Sequence, residues 1–282
     1  VKRIKIVAVC LAIYCAVLIS INSSAAGQPS LDDLTLLEGR PSLPEEQLAS
    51  VCRNVNALNN RIRDERVNDR SARIDLKRLL TAVSEGYGAA GGAAYRASDW
   101  IFPLAGHDSR AVSGGRSHGY SARGYDFFSG NRHGGHPSYD IFIRDRNQDG
   151  LDDRTGQPVQ VLSMTGGVVV ALEGEWEKGS KLRGGKYVWV YDPINELLVY
   201  YAHNAELTVV LGEIVKPGDV LGVVGRSGFN AAKRRSPTHL HLTVLNVQNG
   251  KIVPVKIFQA LQRAHSLPGR RAAVQKEASR SS

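Results

Sequence analysis

The sequence predicts a mainly β protein: an antiparallel β-sheet domain preceded by an N-terminal α-helical segment. Two observations carry this. From Tyr95 onward the 282-residue chain breaks into short apolar runs separated by glycine-rich turns, with no helical pattern between them. Residues 45–85, in contrast, contain no Pro or Gly and place apolar side chains at helical spacings. With 42% hydrophobic and 22% charged residues the chain has enough apolar surface to bury a core, which excludes a wholly disordered protein.

In chain order, Lys2-Arg3-Ile4-Lys5 makes a basic start and residues 6–21 an apolar run. Residues 22–27 are a small-residue exit in which Ser24 and Ala26 are spaced as at a signal-peptidase site. We read 1–26 as the signal peptide of an exported protein; a membrane tether through residues 4–21 is the competing reading. Export places the bulk of the chain in the periplasm or cell envelope, or outside the cell. Cys10 and Cys15 fall in this segment, so Cys52 stands alone beyond it and can make neither an internal disulfide nor a thiolate metal cage.

Residues 27–44, with prolines at 29, 41 and 44, read as a linker. Pro44 followed by Glu45 and Glu46 suits a helix start, with acids at the positive end of the helix dipole. One or two amphipathic helices follow, with Val51, Val55 and Leu58, then Ile74, Leu76, Leu79, Leu80 and Val83 as their apolar positions. Glycines from 86 to 92 are expected to break the helix, so 45–92 is a helical segment with a glycine-rich end. Candidate strands cover 159–162, 168–172, 187–191, 197–202, 220–224 and 239–247. Asp192-Pro193-Ile194-Asn195 and Lys216-Pro217-Gly218-Asp219 read as turns. The β domain is expected over 93–262, and 263–282 reads as a polar, disordered tail.

The formal net charge of +9 favours anionic partners. No interleaving of aromatic and basic residues accompanies it, so nucleic acid is set aside.

The candidate site starts from His239-Leu240-His241. Alternation along a strand turns both imidazoles to one face and Leu240 to the other. One imidazole could bind a metal and the other handle a proton. Upstream, His136 and Asp140 are four residues apart, after a glycine-rich loop and at the start of an apolar run. With His241 they would make a two-His, one-Asp zinc site that leaves a coordination position open. His203, at the end of an apolar strand, could work beside His239 on a proton or an oxyanion.

As a set, His136 to Asp140, Tyr201-Ala202-His203 and His239-Leu240-His241 resemble the lysostaphin-type (LytM-like) zinc endopeptidases of bacterial cell walls. Thr165-Gly166-Gly167-Val168-Val169, the segment 215–225, Ser227-Gly228 and Pro237-Thr238 resemble the same family's surroundings, over roughly residues 132–247. The resemblance implies the duplicated hybrid motif fold of that family and one Zn2+ per chain held by His136, Asp140 and His241. It also implies catalytic assistance from His203 and His239, and a zinc-activated water that cuts the peptide part of peptidoglycan. Two departures stand out: Ser138 where the family has glycine, and an insertion over 144–158. A non-catalytic relative that binds wall or activates another hydrolase is the alternative; such relatives typically lack a ligand, and this chain keeps the set.

Within the insertion, Asp145, Asn147, Asp149 and Asp153, with Gly150, resemble a Ca2+ loop. The residue where an EF-hand has its bidentate Glu is Gly156, and a turn-rich surface loop is the other reading. Lys233-Arg234-Arg235 makes a basic rim that either contacts anionic groups of the wall or is a solvated loop. His107, His118 and His265 have no partner pattern and are expected to be structural. His133 could replace His136, but the spacing to Asp140 favours His136.

Overall fold

The computed structural model describes residues 43–248 and 250–269. The expected signal or tether segment, the linker up to residue 42 and the polar tail from 270 lie outside the described residues. Among the described residues, no helix is long and apolar enough to cross a membrane.

The helical segment forms two helices, α1 (Pro44–Arg63) and α2 (Asp69–Ala89). Asn68 caps the second, its side chain accepting from the N–H groups of Arg70 and Ser71. Helix α2 runs through Gly86 to Ala89 rather than stopping at the first glycine. Gly86 is a close-approach residue: a Cβ there would lie 3.1 Å from Leu48 Cδ1 of α1. The seam between the helices is made by Leu48, Cys52, Val55, Leu58 and Ile62 facing Ala72, Leu76, Leu80, Val83 and Tyr87. Ile74 stands off that seam and is 63% exposed, unlike its place in the predicted apolar stripe. Burial pushes the Cys52 thiol up to about 12, so it packs as a small apolar group.

The β domain contains β1 (Ser138–Phe142), β2 (Leu151–Asp152), β3 (Gln157–Pro158), β4 (Gln160–Leu162), β5 (Gly167–Glu173) and β6 (Lys186–Asp192). It continues with β7 (Leu197–Leu207), β8 (Ile214–Val215), β9 (Val220–Val224), β10 (His239–Gln248) and β11 (Lys251–Pro254), before a short helix α3 (Phe258–Arg263). The main sheet runs β1-β10-β7-β6-β5-β8; β11 pairs with β10, and β9 links β7 to β4. Every strand pair described is antiparallel. The insertion after β1 folds as its own hairpin, β2 on β3.

Alternation sorts the sheet into two faces. Val190, Val199, Tyr201, Leu240, Leu242 and Val244 join Phe102, Leu104 and Leu261 in one core. Val168, Val170, Trp189, Leu198, Leu245 and Val247 join the two helices in the other. His239 and His241 have the parity of Leu245 and Val247, so they lie on the helix-covered face. Residues 263–267, at the start of the expected polar tail, stay paired with the domain. His265 N–H donates to Trp100 O, and Gly106 N–H donates to Leu267 O.

Candidate metal centre

Strand register makes the first contact of the site. In the β1–β10 pair, Asp140 sits directly opposite His241, which puts their side chains on one face about 5 Å apart at Cβ. His241 Nδ1 lies 3.0 Å from Asp140 Oδ1. His136 precedes β1 on a loop whose backbone is bridged to Ser121 in both directions. Its Nε2 lies 3.3 Å from the same carboxylate oxygen. Donor atoms about 2.0–2.1 Å from a tetrahedral zinc lie roughly 3.3 Å from one another, so this trio fits the ion.

His239 Nε2 is 3.7 Å from Asp140 Oδ1, and its Nδ1–H donates to Pro237 O at 2.7 Å. His203 is reached differently. It follows Ala202, which is opposite His241 in the β7–β10 pair. Alternation would turn its side chain to the other face, with Tyr201. Instead its backbone is left-handed, at φ 68°, and the β6–β7 register slips between Lys186 and Val188. The irregularity turns the ring back to the site, 4.9 Å from His239 and 5.4 Å from His241 between ring centroids.

Backbone carbonyls fix the tautomers. His136 donates from Nδ1 to Gly119 O at 3.0 Å, and His203 donates from Nδ1 to Ser227 O at 2.8 Å. With His239 on Pro237, three imidazoles thus keep Nε2 as the lone-pair nitrogen. Burial alone would raise the Asp140 carboxyl, but hydrogen bonds with His136 and His241 hold it well below the usual carboxylate range. Burial pushes His203 well down, with His241 and His239 adding to the shift. Burial also lowers His241 against the pull of Asp140, while the hydrogen bond to Asp140 raises His136. The cluster thus holds an anionic carboxylate beside two imidazoles, His203 and His241, biased towards neutrality. That is the protonation state in which a cation is bound.

Among the described residues, two groups of His, Cys, Asp or Glu bring their ligand atoms within 4.8 Å of one another: His136, Asp140, His241, and His203, His239, His241. The first supplies the negative charge that a divalent ion calls for. His133 belongs to neither; its ring packs on Tyr125 at 4.9 Å. Asp145, Asp149 and Asp153 of the candidate calcium loop belong to neither group. Their carboxylates turn back on the loop itself. Asp145 accepts the N–H groups of Asp149 and Gly150 and the Thr238 hydroxyl, Asp149 accepts from Leu151 N–H and the Asn147 amide, and Asp153 accepts from Arg146 N–H. His107, His118 and His265 have structural partners: Asp152, the Phe258 ring and Ser98 O.

The site opens on a cavity of about 330 Å³ whose wall includes Asn59 and Arg63 of α1 and the rings of Tyr125, Trp189 and Tyr200. Sequence reasoning did not assign that wall to the helical segment, nor a positioning role to Ser227-Gly228. A Cβ on Gly228, at φ +111°, would lie 2.5 Å from Arg183 O and 2.8 Å from His203 Nδ1. Gly228→Ala is therefore expected to displace the His203 ring while leaving the trio intact. Zinc content by atomic absorption should stay near wild type, while His203 loses its protection from imidazole-modifying reagent.

Residues 146–254 match the model of Peptidase family M23. Over that segment the chain is similar to the M23 peptidases, and the sheet that carries it is antiparallel. Within this chain the matched segment holds His203, His239 and His241 but begins beyond His136 and Asp140, which the β1–β10 register brings to it. Among solved structures, the chain is similar to a putative glycyl-glycine endopeptidase LytM from Ruminococcus gnavus, with 24% identity, 68% of this chain and 74% of that one covered, and a TM-score of 0.38. It is similar to the catalytic domain of lysostaphin from Staphylococcus simulans, at 19% identity, 55% and 95% coverage and a TM-score of 0.36. A zinc-containing peptidase from Vibrio cholerae is similar at 17% identity over 60% of this chain, which spans 41% of that protein, with a TM-score of 0.35. No curated protein matches.

Proposed function

We propose that this chain is an exported zinc metallopeptidase that hydrolyses peptide bonds in peptidoglycan, with His136, Asp140 and His241 as the zinc ligands. The observation that carries the reading is the in-register pairing of Asp140 with His241, completed by His136 and faced by two more histidines. When bound, zinc supplies a Lewis acid that polarises a carbonyl and brings the pKa of water it holds towards about 7.

The remaining work belongs to the chain's own residues. Asp140 offsets the positive charge and orients His241. His203 and His239, held at Nδ1 by backbone carbonyls, present Nε2 to the reacting region. Neutral His203 accepts a proton or, once protonated, donates a hydrogen bond to a developing oxyanion. Its burial makes the charged form short-lived, which favours passing the proton on to the leaving amine. The cavity wall of Tyr125, Trp189 and Tyr200 limits water and gives a peptide apolar surface to lie on. The complete ligand set favours catalysis over the non-catalytic scaffold reading.

Digestion of purified peptidoglycan, followed by mass spectrometry of the fragments, tests the reading. New amino termini inside stem or bridge peptides are expected, together with about one zinc per chain. Release of intact stems from the glycan would make the protein an amidase instead, and a wild-type chain that binds no zinc would return the scaffold reading.

A further inference from the structure

Across the loop that carries Asn230, Ala231 and Ser236 into the metal-site cavity lies a second cleft, of about 640 Å³. Its charged lining is wholly positive: Lys178, Arg226, Lys233 and Arg234, with no Asp or Glu among the lining residues. Glu175 and Glu177 flank Trp176 in the chain and are exposed, but neither lines the cleft.

The four cations differ in how they are held. Arg226 is fixed by its own fold, donating from Nη1 to Ser236 O and from Nη2 to Lys233 O. These acceptors are neutral carbonyls, so the guanidinium keeps its full charge. Its link to a carboxylate is indirect, through Thr238 to Asp145, and that carboxylate already accepts two backbone N–H groups. Lys233 lies over the Phe229 ring at 4.2 Å and donates to Asn230. Lys178 and Arg234 carry no ion pair among the described residues. Trp176 and Phe229, the latter 46% exposed, add aromatic surface beside the charges.

A fixed arginine among cations that carry no ion pair among the described residues, on a concave surface lined by no acid, focuses positive potential. Its position beside the metal-site cavity lets one extended molecule reach both. Resting on the peptidase reading above, we infer that this cleft binds the anionic groups, phosphate or carboxylate, of the wall polymer whose peptide part enters the metal site. The contact is electrostatic and sequence-independent, so it retains the enzyme on its substrate without choosing the bond.

The test is co-sedimentation of the purified chain with insoluble cell wall, comparing wild type with the double variant Lys178→Glu/Arg234→Glu. Neither side chain has a hydrogen-bond or ion-pair partner among the described residues, so zinc content and the thermal midpoint should not change. Wild-type binding is expected to weaken as salt rises, and the double variant to bind at least about tenfold more weakly at low salt. Equal binding by the two proteins would overturn the proposal. Repeating the assay on wall stripped of phosphodiester polymers separates the sources: if the difference between the proteins disappears, phosphate is the ligand, and if it persists, carboxylate is. A chain that holds no zinc yet shows this charge-dependent binding would sink the peptidase reading and leave the cleft standing.

Discussion

His241→Ala is expected to lose zinc and His239→Ala to keep it, although the two residues lie two positions apart on one strand face. His241 is held against Asp140 at 3.0 Å and shares that carboxylate oxygen with His136. Removing it takes one of the three proposed ligands and should weaken zinc binding by well over about 100-fold, more than loss of an outer partner costs. His239 lies farther out, at 3.7 Å from Asp140, with His203 as its neighbour. Its loss should leave zinc content unchanged and lower turnover by about 10²–10⁴-fold, the range for a positioned acid or base. Equilibrium dialysis against zinc, run beside the peptidoglycan digest, reads both quantities. Equal zinc loss in the two variants would instead favour the three-histidine set of His203, His239 and His241, in which both are ligands.

Leu240→Ala, between those histidines, is expected to leave the chemistry intact and cost the fold about 2–5 kcal/mol. Leu240 is fully buried on the opposite face, opposite Ile141 of β1 and within the core that holds Phe102, Leu104 and Leu261. A whole domain is stable by only about 5–15 kcal/mol, so the cost takes a large share of the total. Urea unfolding of the metal-free chain should show a lower midpoint with an unchanged slope. His241→Ala, measured likewise, should cost less, because its partly exposed ring leaves no sealed cavity. A Leu240 variant as stable as wild type would mean that the strand does not alternate as described.

Much of the fold was legible because its physics is local. The six apolar runs read as strands all pair within the sheet, and their ends fall within a few residues of the predicted ones, except that β7 runs on to Leu207. Pro44 with its two glutamates begins α1 as expected. The misread places depend on distant neighbours. Gly86 reads as a breaker until Leu48 of another helix is seen against it. The acidic insertion admits two readings by composition, a calcium loop or a surface turn, and its fold adds that the carboxylates accept N–H groups of the loop itself.

The candidate site divides in the same way. Residue types and spacing single out His136, Asp140, His239 and His241, because two-residue alternation alone puts the last two on one face. Tertiary structure decided which of them meet. The antiparallel register sets Asp140 opposite His241, a fact about two segments 101 residues apart. It also decided His203, whose parity points it away from the site. A left-handed backbone and a slipped register, held by the carbonyl of Ser227, bring it back. Alternation is written into a strand by its covalent geometry. A departure from it persists only where surrounding packing holds the strained residue in place, and that packing is assembled from the whole chain.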